Sequence, residues 1–423
     1  LPLLLLLHGF AAFDNLTPGV ADWNNAVASL HIGVLLSGPL VAGIGAFTAT
    51  RERRRKLEYL RVLSARHPAA GPAAELTAVV LWALVGYAIV TAAVLVTTAS
   101  NSGWGSPHLL WLATGAGGLA LHAVLGYLVG RLWPRVWVAP AIAVLTYLLA
   151  TAIQGQPNAG YYFLSTVTTR PADAFHTLNS ALFAGQLAWY VGLAASLVLL
   201  WAAGLTARGR GHLLAASGLA VAVTATGASS VYGSETRALI DKRTPVEYRC
   251  TPAQPTVCVH PVFRPGLPEL AAAFARLDRR TRGTPLEFDR VEQRPYRLLS
   301  RFPSEARVFA VDDLGAGYVT RALTSYVSHQ LDSRSPRCQS PPPGGDNEQA
   351  AKRDWLTSVQ LNQVVVSWLT ETRTGALGIP AVARSADWFG TLSESEKRTW
   401  LAEHFQRFAT CQLDPADFRG RTA

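Results

Sequence analysis

The chain has 423 residues, of which 49% are hydrophobic and only 16% charged; a water-soluble domain carries roughly a quarter of its residues as charged side chains. Residues 1–231 hold 12 Lys and Arg against 6 Asp and Glu, and residues 232–423 hold 26 against 22. This excludes one uniform soluble domain, and a net charge of +10 spread as +6 and +4 needs no nucleic-acid partner to explain it. All but four basic residues (Lys56, Lys242, Lys352 and Lys397) are arginine, which with the Ala, Gly and Pro richness suggests a GC-rich genome such as an actinobacterial one.

The chain opens in an apolar run, Leu1 to Phe13, and contains no Met. The run reads as the second half of a first spanning helix whose start is missing. Six further segments approach the ~20 apolar residues needed to cross a bilayer core: about 26–49, 76–98, 107–130, 136–154, 181–204 and 212–231. None contains Asp, Glu, Lys or Arg. Gly38-Pro39 in the second span predicts a loosened helix ladder. His31 and His122 are the intramembrane histidines, which marks them as functional candidates or as neutral rings bonded to a neighbouring helix. The run Thr114-Gly115-Ala116-Gly117-Gly118 lacks the following Lys-Ser/Thr of a phosphate-binding loop and reads as close helix packing, as does the Gly126/Gly130 pair.

Eleven basic residues lie in one set of alternate loops: Arg51, Arg53, Arg54, Arg55, Lys56, Arg61, Arg66, Arg131, Arg135, Arg208 and Arg210. The other set, 14–25, 99–106 and 155–180, contains Arg170 alone. Basic loops stay cytoplasmic, so the expected topology is a plasma-membrane protein with a cytoplasmic N-terminus and residues 232–423 outside. The cysteines agree. Cys250, Cys258, Cys338 and Cys411 all follow the last span, and an even count there predicts disulfides in an oxidising compartment. Three pairings are open; the short loop favours Cys250–Cys258, leaving Cys338–Cys411. A metal site of Cys250, Cys258 and His260 lacks zinc-site spacing.

The long cytoplasmic loop reads TATRERRRKLEYLRVLSARHPAAGPAAEL. Leu57, Leu60 and Leu63 at three-residue spacing predict an amphipathic helix of about four turns ending before Pro68. It suits the lipid headgroup layer, a solvated positive-inside marker, or a partner's groove. The Gly-Pro span running into Arg-Glu-Arg-Arg and this Leu-rich helix resembles the permease subunits of actinobacterial ATP-binding-cassette transporters of the exporter type, over slightly more than half the chain. The resemblance implies docking on a separate cytoplasmic ATPase subunit, with Arg51, Glu52, Arg53, Arg54, Leu57, Glu58 and Leu60 at or near the interface. It also implies a homodimer or a pair with a related permease. A seventh segment and a large outside domain depart from that family's pattern.

In residues 232–423, 267–280 predicts an amphipathic helix with Leu270, Phe274 and Leu277 on one face, 307–313 a short strand, and 317–331 a helix. A loop is expected at 335–349 and a long helix after it. Ser393 and Glu396 have capping-box spacing, and Trp400, His404 and Phe408 follow one face. No HExxH, GxSxG or SxxK occurs. His260, His329 and His404 form no set that stands out, and His260-Pro261 reads as a turn. Neither catalytic residues, a metal nor a cofactor is expected. The expected fold is an all-α polytopic membrane bundle of about seven spans plus a mainly α, or α+β, disulfide-containing extracytoplasmic domain. The expected function is a permease subunit, with a membrane-anchored binding or sensor protein as the alternative.

Overall fold

The fold comes from a computed structural model that describes residues 1–54, 69–101, 103–156, 161–167, 174–206, 209–233, 240–243, 246–296, 299, 302, 306–332, 348–373 and 378–419. The chain divides into two compact units, Leu1–Leu16 with Ala21–Thr244, and Thr17–Val20 with Pro245–Ala423.

The first unit is helical: α1 (Pro2–Asp14), α2 (Trp23–Arg54), α3 (Ala70–Ser100), α4 (Leu109–Leu132), α5 (Val138–Gln154), α6 (Ser180–Leu205) and α7 (Arg210–Tyr232). Five of these, α2, α3, α4, α6 and α7, are long and apolar enough to cross a membrane, whereas α1 and α5 are shorter. At 1.5 Å per residue, the 13 residues of α1 and the 17 of α5 fall short of the roughly 30 Å core. Helices α2 and α4 lie centrally, with 67% and 61% of their apolar windows buried, against 33%, 22% and 28% for α3, α6 and α7. Outward, the bundle is greasy. Leu6, Phe10, Trp82, Val96, Leu145 and Leu219 are exposed, and among the described residues Tyr296 and Leu356 are the exposed large apolar side chains of the second unit. A water-facing surface rarely carries so continuous an apolar coat.

Small residues let the central helices touch. A Cβ on Gly45 would sit 2.8 Å from the Ala123 carbonyl oxygen, and one on Gly130 would sit 2.5 Å from that of Ala46. With no water to expel between helices, such backbone-to-backbone contact is what holds a membrane bundle together. The pair α6/α7 uses the same device: a Cβ on Gly227 would sit 2.5 Å from the Trp189 backbone nitrogen.

Alternate loops of this unit gather at one end of the bundle. Trp104 N–H donates to the Ala21 carbonyl (2.8 Å) and Trp23 N–H to that of Trp104 (3.3 Å). The Asn24 amide donates to the His176 carbonyl (3.0 Å). There β1 (His176–Leu178) pairs antiparallel with β2 (Ile240–Arg243), which carries the unit beyond the end of α7 to Thr244. Gln154 closes the set by donating to the Val167 carbonyl (2.7 Å). The same end therefore collects the starts of α2, α4 and α6 and the ends of α3, α5 and α7.

The second unit is built on a four-stranded sheet of order β3-β4-β5-β6, comprising β3 (Arg249–Cys250), β4 (Thr256–Val259), β5 (Arg290–Gln293) and β6 (Val308–Phe309). Strands β3 and β4 are antiparallel; β4, β5 and β6 run parallel. A parallel neighbour needs a long crossover, and α8 (Leu267–Thr281) lies in the one joining β4 to β5. Helices α9 (Tyr318–Asp332), α10 (Glu348–Thr370), α11 (Pro380–Thr391) and α12 (Glu394–Ala409) complete the unit. It is thus helix-rich around a mixed sheet.

Local chemistry explains these elements. Helix α8 starts with Pro in its first turn, carries Glu269 there and ends on Arg279 and Arg280, each matched to the helix dipole or to the missing N–H at that position. It buries Leu270, Ala273, Phe274 and Leu277, and Phe274 packs on Phe309 with ring centroids 4.9 Å apart. Gln293, fully buried, ties the sheet's end: its side chain accepts from His260 N–H (2.9 Å) and donates to the Val311 carbonyl (2.8 Å). His260 caps the 3-10 turn that follows β4, accepting from Val262 N–H (3.2 Å).

Candidate functional site

The candidate residues of the first unit converge on α2. This helix has 32 residues and so is about 48 Å long at 1.5 Å per residue, which exceeds the roughly 30 Å bilayer core. It leads from the end where the loops gather to its basic terminus at Arg51–Arg54. Arg51 is exposed, and Glu52, Arg53 and Arg54 continue the helix. Leu57, Glu58 and Leu60 lie outside the described residues, as does the rest of the amphipathic segment.

Midway, α2 meets α1 on one face and α4 on another, and three histidines lie at these two contacts. His8 of α1 reaches Ser37 (Nδ1 to Oγ, 3.0 Å). The Ser37 hydroxyl already donates to the Gly33 carbonyl (2.9 Å). His8 Nε2 is buried and has no hydrogen-bond partner among the described residues. His31 of α2 meets the Thr114 hydroxyl of α4 at 3.4 Å, while that hydroxyl donates to the Trp111 carbonyl (2.7 Å). His122 of α4 bonds the Gly118 carbonyl through Nδ1 (2.8 Å), and a Cβ on Gly38 would lie only 2.9 Å from its ring.

The contacts on α2 thus run His31, Gly33, Ser37 and Gly38, two turns or about 10 Å of helix, immediately before Pro39. Proline removes the N–H that would bond the carbonyl four residues back. Tyr87 of α3 lines the same region, its ring 5.3 Å from that of His8 and its hydroxyl donating to the Leu112 carbonyl (3.0 Å). Close approach is made possible by Gly33, Gly38 and Gly115, the last lying against the Tyr87 hydroxyl.

Of the predicted residues, the structure brings His31 and His122 to one helix. His8 was not among the expected site residues: it lies in the opening apolar run, and only the packing of α1 on α2 reveals it. Its sequence signal is a lone imidazole within thirteen otherwise apolar or terminal positions.

In the second unit, Cys250 and Cys258 are disulfide-bonded across β3 and β4, where they face each other in register. Cys411 is disulfide-bonded, and Cys338 lies outside the described residues. Among the described residues, no three His, Cys, Asp or Glu side chains group as metal ligands.

Five apolar helices of membrane-crossing length, wrapped in exposed Leu, Val, Ile, Phe and Trp, make this a membrane protein. No family model, curated protein or solved structure matches the chain.

Proposed function

We propose that the chain is a permease subunit of an ATP-binding-cassette transporter, driven by a separate cytoplasmic ATPase that docks on the segment 51–66. The observation that carries this reading is the continuity of α2. One helix joins the basic end at Arg51–Arg54 to the buried contacts made by His8, His31 and His122 on two of its faces beside Pro39. A push delivered at the docking end reaches the polar interior along a single rod, and the proline supplies a weak point in its hydrogen-bond ladder. In this reading α1 and α5, although shorter than the bilayer core, complete seven spans in a locally thinned bilayer, and the basic end of α2 faces the cytoplasm. The end holding β1 and β2, and residues 245–423, then lie outside the cell membrane. The subunit pairs with a second copy or a related permease, and the bilayer covers the apolar coat. ATP hydrolysis belongs to the partner, so the chain is not itself an enzyme.

The test is a pull-down of the detergent-solubilised chain with a co-expressed ATPase of this class, comparing wild type with Leu57→Asp/Leu60→Asp. Copurification that the double substitution abolishes supports the reading. Absence of the ATPase from both samples overturns it. The alternative, a membrane-anchored binding or sensor protein, then takes its place; the second unit's own sheet and disulfide favour it.

A further inference from the structure

A basic cleft of about 500 Å³ opens in the second unit between α8, the end of α10 and the start of α12. Arginines 276, 279, 280 and 282 reach it from α8 and the residue beyond, and Arg398 from α12; Glu371 and Glu394 are its acids. Basic residues at a helix C-terminus are ordinary partners of the helix dipole, which accounts for Arg279 and Arg280. It does not account for Arg276, a turn earlier, or for Arg398, which comes from another helix.

Two of the five guanidiniums are neutralised from one side. The Glu371 carboxylate bridges Arg276 (3.0 Å) and Arg280 (3.1 Å), and Glu394 adds a second contact to Arg280 (3.4 Å). Glu371 holds this position with a left-handed backbone, φ 58°, a conformation that costs a non-glycine residue energy and persists where the surroundings require it. Arg282 is taken by Asp278 (2.7 Å). Arg279 and Arg398 have no carboxylate partner among the described residues. Arg279 donates to the Ala275 carbonyl (3.2 Å), and Arg398 to the Arg279 carbonyl (3.4 Å).

We propose that this cleft binds a phosphate-bearing anion of at least two negative charges, clamped between Arg279 and Arg398, with Glu371 competing for Arg276 and Arg280. Guanidinium forks match phosphate oxygens in pairs. A phosphate brings at least three acceptor oxygens and up to two charges to donors from two helices, where a carboxylate brings two oxygens and one charge. The cleft volume falls within the range of small-molecule sites, about 300–1,000 Å³. The phosphate belongs either to a soluble ester or to a phospholipid headgroup.

The test uses the full chain in phosphatidylcholine nanodiscs, titrated calorimetrically with sodium pyrophosphate at constant ionic strength. Wild type should bind one equivalent saturably. Arg279→Gln/Arg398→Gln should weaken binding roughly tenfold or more, the loss expected when charge-assisted hydrogen bonds are removed. Glu371→Gln should tighten it, and this second variant decides the matter if the arginine pair fails to fold. No saturable binding to wild type, or equal affinity in wild type and Glu371→Gln, overturns the proposal. Doping the nanodiscs with phosphatidic acid separates the sources: weakened pyrophosphate binding identifies a headgroup as occupant, and unchanged binding a soluble ester.

Discussion

Gly126 of α4 lies directly against the backbone carbonyl of Ala42 in α2, so close that no Cβ fits between them. Gly130 repeats the contact one turn later against Ala46. The pair Gly126/Gly130 is therefore consumed inside the chain, joining the two most buried helices, and is not free to join a second copy.

Gly126→Val is expected to force α2 and α4 apart, costing at least the 1–3 kcal/mol or so typical of overpacking. The thermal midpoint of the detergent-solubilised chain should drop. Gly218→Ala in α7, where a Cβ meets nothing within 4 Å, is the control and should leave the midpoint unchanged or slightly raised.

Ser37→Ala removes the buried hydrogen bond between Ser37 and the His8 ring. Losing such a bond costs about 0.5–1.5 kcal/mol, so this one-atom deletion should destabilise the bundle more than Thr48→Ala, whose hydroxyl bonds its own helix in an exposed position. Comparing the two midpoints tests whether this contact is as dry as the packing implies.

In the second unit, Phe274→Ala should cost about 3–5 kcal/mol, the range for truncating a buried aromatic. Phe274 is fully buried and meets Phe288, Phe309 and Tyr326. Hydrogen exchange should accelerate across 267–281, 290–293 and 318–332 while α2 and α4 keep their protection.

At the start of α12, Ser393 and Glu396 form a reciprocal capping box. The Ser393 hydroxyl and backbone N–H hold the Glu396 carboxyl below its usual value. A carboxyl depressed by folding stabilises the fold above its unfolded pKa, about 4.3, and loses that contribution as pH falls through the lower folded value. Wild type and Glu396→Gln should therefore differ at pH 7 and converge in acid, as read by the unfolding of α12. Ser393→Ala should cost about 1 kcal/mol at neutral pH.

Much of this was legible in the chain itself. Long charge-free apolar runs announced the helices α2, α3, α4, α6 and α7, because hydropathy over twenty residues is a local property that lipid reads directly. The capping box at Ser393 was legible for the same reason: both partners lie three residues apart. Leu270, Phe274 and Leu277 were legible as one face because helical periodicity places them there.

What sequence could not supply was partnership across distance. His8 is a single imidazole in an apolar run, and only the packing of α1 on α2 sets it against Ser37, 29 positions away. Glu371 and Arg276 meet across 95 positions, and only the joining of α8, α10 and α12 turns scattered arginines into a cleft. The parallel alignment of β4, β5 and β6 was hidden too, since strands of two to four residues carry too little pattern to reveal their neighbours. Composition and periodicity act through solvent and the local backbone, so the sequence alone determined that this is a membrane protein with a chemically ordinary C-terminal part. Which polar groups meet depends on how helices pack, and the tertiary structure decided that.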